Sequence, residues 1–220
     1  MVASFYLLYC HSSTYELPLP YDSGVVVINE GSFGKGNGNL SFLMRDNQTA
    51  IYDIFKKENN LLLGDIVQSY TESDGKGFVV VNNSNKVDVV DARTFKSLTK
   101  LTKNITQPRF VSIAAGKLYI TCWDKLNADY SFKKGWVAVV DLATFQTIKI
   151  IPVGKGPEQL MAIGNEVFVA NSEENFVSVI NTQTDAVSTI RYQIILLSLW
   201  KMPTEKYGFC VRESSARSHK

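Results

Sequence analysis

Histidine is scarce in this chain. Of its 220 residues only His11 and His219 are histidines, and both stand near the ends. That takes the commonest zinc ligand, and the usual base of a Ser-His-Asp triad, out of the body of the protein. Acid–base chemistry would fall to carboxylates alone. Cysteine is equally thin: Cys10, Cys122 and Cys210 are far apart and odd in number, so no disulfide framework is implied. Charge of one sign is missing as well. Lys and Arg total 23 against 21 Asp and Glu, a net charge of +2, and the basic residues are scattered rather than clustered. A dedicated nucleic-acid binder would show a basic patch or stripe, so that partner class is set aside. No helical stripe of about a dozen residues appears before Tyr192. The glycine-rich GSFGKGNG, Gly31 to Gly38, has neither Walker spacing nor a helix behind it, which argues against a phosphate cradle.

What is present is a repeated β-hairpin. Phe78 to Val81 is a short apolar β-branched run, Asn82-Asn83-Ser84-Asn85 supplies turn residues, and Val87, Val89 and Val90 form the returning strand. Asp91 stands three positions before Thr94, the spacing of an Asx turn that ends a strand. The same relation recurs as Asp141 with Thr144 and Asn181 with Thr184, and Asp46 with Thr49 supplies a looser first copy. Aligning the ends of the first hairpin strands gives Asn29, Asn82, Cys122 and Asn171, at a period of roughly 40–50 residues. Further strand-like runs lie between the hairpins, such as KIIPV (Lys149 to Val153) and QLMAI (Gln159 to Ile163). Each period therefore holds four short strands: an inner one, the two hairpin strands and an outer one. With 45% hydrophobic residues the chain has enough apolar content for a sizeable core. The pattern predicts an all-β fold, a β-propeller of four-stranded antiparallel blades. A β-sandwich with accidental similarity is the competing reading.

The segments LYIT (Leu118 to Thr121) and VFVAN (Val167 to Asn171), each followed by V-x-V-hydrophobic-Asp/Asn, resemble the YVTN-type, YncE-like seven-bladed propellers. VINEGSFGKGNGNLSF, LGDIVQS and NNSNKVDVVDARTFKS are similar to the surface propeller lipoproteins of Bacteroidetes, a group that includes cobalamin-capturing accessory proteins of vitamin B12 uptake. The resemblance covers Gly24 to Tyr192. It implies about four blades of a seven-bladed ring, an incomplete one, whose first and last sheets would expose apolar sides; the chain alone is then expected to be poorly soluble or to dimerise. It also implies a non-enzymatic, extracytoplasmic protein at the outer-membrane surface of a Gram-negative bacterium. Its ligand would be a corrinoid such as cobalamin, handed to an outer-membrane transporter. No cofactor or metal is expected. A protein-interaction scaffold is the alternative, and a propeller enzyme a third.

Three regions follow. Residues 1–22 read as a leader and linker: an apolar run before Cys10 resembles a lipoprotein signal ending at a lipidated cysteine, although Tyr9 and the missing basic start equally fit a disordered leader. Attachment to a membrane would be through that lipid alone. Residues 23–192 are the partial propeller. Residues 193–220 break the pattern, either as an amphipathic helix interrupted by Pro203 or as an out-of-frame reading of a fifth blade. The codons of Met202 to Phe209, shifted by two bases, permit A-N-G-K-I-W-V, the turn and strand expected next.

In a four-stranded blade the hairpin turns and the blade-to-blade turns share one face of the disc. Those turns are rich in Asn, Gly and aromatics, which suits a large polar ligand with planar parts. The expected ligand-binding residues are Asn29, Glu30, Phe33, Asn82, Asn83, Arg109, Trp123, Tyr130, Glu158 and Asn171. Asn29, Asn82 and Asn171 are expected to ring a central funnel together, or else to satisfy turn backbone. Trp123 and Tyr130 are stacking groups or pack on a neighbouring blade. Arg109 and Glu158 follow Pro108 and Pro157 as ligand contacts or solvated turn charges.

Overall fold

The computed structural model describes residues 19–45, 49–124, 128, 131–191, 195–201 and 207–212. Three of its sheets are four-stranded and antiparallel, with neighbouring strands consecutive in the chain. One contains β4 (Val67–Ser73), β5 (Lys76–Val81), β6 (Lys86–Asp91) and β7 (Ser97–Leu101). The next contains β8 (Pro108–Ala114), β9 (Lys117–Trp123), β10 (Gly135–Asp141) and β11 (Thr147–Val153). The third contains β12 (Pro157–Ile163), β13 (Glu166–Asn171), β14 (Phe176–Asn181) and β15 (Val187–Arg191). Ahead of them β1 (Gly24–Asn29), β2 (Asn39–Met44) and β3 (Ala50–Ile51) make a three-stranded sheet, one strand short of the predicted four among the described residues. This is a β-propeller arc.

The strands end where the turn chemistry says they should. Asp91 Oδ1 accepts from Arg93 N (3.1 Å), Thr94 N (2.8 Å) and Thr94 Oγ1 (2.8 Å). Asp141 repeats the three bonds with Ala143 and Thr144, and Asn181 Oδ1 takes the amides of Gln183 and Thr184. The backbone bond that closes the same turn, Asp91 N to Lys96 O, has its first-sheet counterpart in Met44 N to Thr49 O. Met44 therefore holds the position assigned from sequence to Asp46, which lies outside the described residues.

Sheets stack face to face, so their middle strands are apolar on both sides. Val79, Val81 and Val90 join Leu40, Phe42, Ile54 and Phe55 in the core between the first two sheets. Phe78, Val80, Val87 and Val89 face Leu118, Ile120, Ala138 and Val140 in the next. Tyr119, Val137 and Val139 meet Leu160, Val167, Val169 and Ile180 in the third. Burying one such side chain contributes roughly 1.5–3 kcal/mol, and this alternation is what fixes the register. Among the described residues the first sheet is covered on one face only: Val26 packs inward, whereas Val25 and Val27 remain 57% and 41% exposed.

Two elements depart from the sequence reading. A helix of six residues, α1 (Ile54–Asn59), links the first two sheets, below the length that periodicity detects. Ile54 and Phe55 anchor it, and Asn59 ties it down, donating to Phe95 O (2.8 Å) and accepting from Ser97 N (2.8 Å). In the tail, β16 (Ile195–Lys201) pairs with β17 (Tyr207–Arg212) as an antiparallel hairpin, in place of the helix that was one reading. β16 lies against β12 and β13, on the far side of the last full sheet. The arc does not close into a ring.

Candidate functional site

Hairpin turns and linking turns do meet on one face. Asn82 N donates to Ile66 O, Trp123 N to Gln107 O and Ser172 N to Gly156 O, one such bond per full sheet. On the opposite face Ala92 N reaches Gly75 O, Leu142 N reaches Gly116 O and Thr182 N reaches Asn165 O.

The inner strands β4, β8 and β12 are neighbours, and each has a bulge just after its start. The register places Val67 opposite Val81, Pro108 opposite Cys122 and Pro157 opposite Asn171. The next residues, Gln68, Arg109 and Glu158, are thus equivalent positions on three successive blades. A bulge re-aims a side chain, and here the three form one network. Arg109 Nε donates to Glu158 Oε2 at 3.0 Å and Arg109 Nη1 donates to Gln68 Oε1. The guanidinium carbon stands 4.1 Å from the centroid of the Trp123 ring, a cation–π distance. Trp123 is fixed in turn: its Nε1 donates to Pro157 O (2.9 Å), and Phe132 packs on it with centroids 4.2 Å apart. Arg109 and Glu158 side chains are only 17% and 14% exposed. Burial pushes the Glu158 carboxyl above its ordinary value, and the Arg109 charge and hydrogen bond offset this in part. The arrangement is a nearly neutral polar strip, guanidinium between amide and carboxylate, roofed by an indole.

The asparagines do not ring a funnel together. Asn29 Nδ2 donates to Asn39 Oδ1 (2.7 Å) and Ser41 Oγ (2.9 Å) within its own hairpin. Asn171, fully buried, repeats this with Phe176 O and Ser178 Oγ, both at 3.0 Å. Those two are true equivalents, but Asn82 is one position further on, where Val81 takes the corresponding place. Asn82 Nδ2 instead bridges to Pro108 O of the next sheet (3.0 Å). Asn83 donates to Asp65 Oδ2 (2.5 Å), the oxygen that also accepts Gly34 N (2.8 Å) from the glycine-rich loop. The Asn83 hydrogen bond and these loop amides hold the Asp65 carboxyl below its ordinary value. Glu30 is exposed and uses its carbonyl, which accepts Val67 N at 3.1 Å. Phe33 is 77% exposed at the tip of that loop. Tyr130 and Cys10 lie outside the described residues.

Sequence reasoning missed Gln68, Phe132 and the carboxylates Asp65 and Glu173 that latch the two long hairpin loops. Glu173 accepts Phe132 N through both oxygens, at 3.3 and 3.1 Å. The signal for Gln68 was available: it stands where Arg109 and Glu158 stand, one residue past the strand opening. Among the described residues no three His, Cys, Asp or Glu side chains cluster as a metal would need, and no helix is long and apolar enough to cross a membrane.

The family described as a domain of unknown function, DUF5074, matches residues 23–197. The chain belongs to the DUF5074 family. No curated protein matches it. Similar solved structures include Kuenenia stuttgartiensis hydrazine synthase, with 14% identity, a TM-score of 0.60, and 90% of this chain aligned to 57% of that one. The WD40 β-propeller domain of Doa1 gives 11% identity and a TM-score of 0.55, over 80% and 58%. The extracellular domain of a proposed one component system from B. thetaiotaomicron gives 15% and 0.57, over 83% and 27%. At these identities the likeness shows the fold alone. The chain spans about half the length of the first and second of these structures and about a quarter of the third.

Proposed function

We propose that this DUF5074 chain is a non-enzymatic, extracytoplasmic binding propeller that captures a ligand on its turn-rich face. A corrinoid such as cobalamin is the ligand to test first, with an outer-membrane transporter as the receiver and a lipidated Cys10 as the anchor. The observation that carries the reading is the Gln68–Arg109–Glu158 strip under Trp123. Three blades contribute unlike side chains at one equivalent position, and these are joined before any ligand arrives. Such preorganisation lowers the entropic cost of binding. Because the guanidinium is matched by a carboxylate, the strip favours neutral polar groups such as carboxamides over free anions. An extracellular propeller domain among the similar structures supports the placement outside the cytoplasm.

Titration with cobalamin, followed by its visible absorbance and by tryptophan fluorescence, tests the proposal. Binding should weaken about tenfold or more in Arg109→Ala, the loss of roughly one charge-assisted contact. Absence of binding by the intact protein overturns the corrinoid assignment. It would favour a protein-interaction scaffold, for which the exposed Phe33 on its latched loop is the specific observation.

A further inference from the structure

A second concavity lies at the outer rim of the second sheet. It is an open cleft of about 320 Å³ between the turn that follows α1 and strands β6 and β7, lined by Phe55, Leu61, Leu62, Lys86, Asp88, Ser97, Thr99 and Lys100. That volume is at the small end of ligand pockets. Its two walls differ in kind. One is apolar: Phe55 is buried at the base, while Leu61 and Leu62 stand at the lip, each 60% exposed. Two adjacent leucines held in water beside a cavity are an apolar surface that an occupant would cover at a gain of about 0.8 kcal/mol per buried methylene.

The other wall is polar and carries one positive charge in excess. Lys86 Nζ sits 2.6 Å from Asp88 Oδ2, so that pair is internally matched, in keeping with the depth of Asp88 at 4% exposure. Lys100 lies directly opposite Asp88 in the β6–β7 register and forms no ion pair of its own among the described residues. Ser97 lines the same face, since it pairs with Val90, which packs in one core with Phe55, whereas Thr99 pairs with Val89 and turns its side chain to the other face. An ammonium with a hydroxyl on the same face is a set of donors for an anion.

From this pairing of walls we infer that the rim cleft binds a small amphipathic carboxylate. Its alkyl chain lies on Leu61, Leu62 and Phe55, and its oxygens accept from Lys100 and Ser97. A ligand of six to eight carbons, in order of magnitude, fills the volume. The site is distinct from the Gln68–Arg109–Glu158 strip, with which it shares no residue.

Octanoate is the probe and octan-1-ol its uncharged counterpart, with binding to the intact protein followed by calorimetry and by NMR shift perturbation. Octanoate should bind with a dissociation constant in the millimolar range or below, and at least about tenfold more tightly than octanol. Lys100→Gln should weaken octanoate about tenfold and leave octanol unchanged, whereas Leu62→Ser should weaken both. Lys100 and Leu62 are exposed, so both variants keep the fold, which their melting curves verify. No octanoate binding in the millimolar range, equal binding of the alcohol, or indifference to Lys100→Gln would each overturn the assignment.

Discussion

Replacing Arg109 by methionine removes a charge from a site that was built around it. Glu158 would keep its burial and lose the guanidinium at 3.0 Å that offsets it. Breaking one partner out of a fully buried pair costs about 3–5 kcal/mol. With 17% and 14% of the two side chains still exposed, about 2–4 kcal/mol is expected at pH 8. Glu158→Gln should cost much less, about 1 kcal/mol, because an amide oxygen still accepts from Arg109 Nε while Gln68 and Trp123 keep the guanidinium in place. The asymmetry has a pH signature. In Arg109→Met the folded-state pKa of Glu158 moves further above the ordinary glutamate value of 4.5. The folded protein then binds more protons than the unfolded one, so stability falls as pH rises from that ordinary value through the folded one. The variant's deficit is fully developed above that window and shrinks below it. Urea unfolding between pH 5 and 8, read by tryptophan fluorescence, measures both effects, since Trp123 touches the pair. Equal costs for the two variants, or a deficit for Arg109→Met that ignores pH, would refute the reasoning.

The Asp91 carboxylate closes its turn with three hydrogen bonds, so Asp91→Ala should lose about 1–2 kcal/mol in a chemical melt, and Asp91→Asn less. A Cβ on Gly135 would overlap Gly154 O and Pro157 Cδ, so Gly135→Ala should cost about 2–3 kcal/mol; a melting temperature equal to wild type would show that the linking turn yields freely. Asp65→Asn should speed tryptic cleavage after Lys35, because the glycine-rich loop loses its carboxylate latch. In the unaltered protein Asp65 has a depressed pKa, so its contribution is present above the ordinary Asp value and lost only as pH falls through the lower folded value; cleavage after Lys35, relative to that of an unstructured lysine peptide at the same pH, should be as slow at pH 5 as at pH 8. Val27→Lys, on the uncovered face of the first sheet, should reduce both dye binding and concentration-dependent association in sedimentation.

The blades were legible because their determinants are local. Alternation of Val and Ile with small or polar residues sets the strands, and Asp or Asn three places before Thr ends them. Position within a blade was less legible. Asn82 and Asn171 share a letter but serve different bonds: one bridges to Pro108 of the next sheet, the other closes its own hairpin. The Met44–Thr49 turn shows the converse, a recurring backbone bond without the side chain that marks it elsewhere. The central strip was hidden for a related reason. Gln68, Arg109 and Glu158 share a place one residue past each strand opening, which alignment of the repeats offers, but as residue types they look unrelated, and it is the bulge there that brings them together.

The uncovered first sheet also bears on how the molecule comes apart. Sheet-to-sheet packing follows chain order, β1 on β4, β4 and β5 on β8, β8 and β9 on β12, β12 and β13 on β16. Each interior sheet has a neighbour on both faces, and the first has one. Such a stack behaves as a one-dimensional chain of coupled units, whose ends open at lower free energy than its middle. Amide exchange should therefore be fastest at the two ends, β1 and β2 on one side and β16 and β17 on the other, and slowest in the middle strands β5 and β9. Protection would follow the number of covered faces rather than the length or hydrophobicity of any strand.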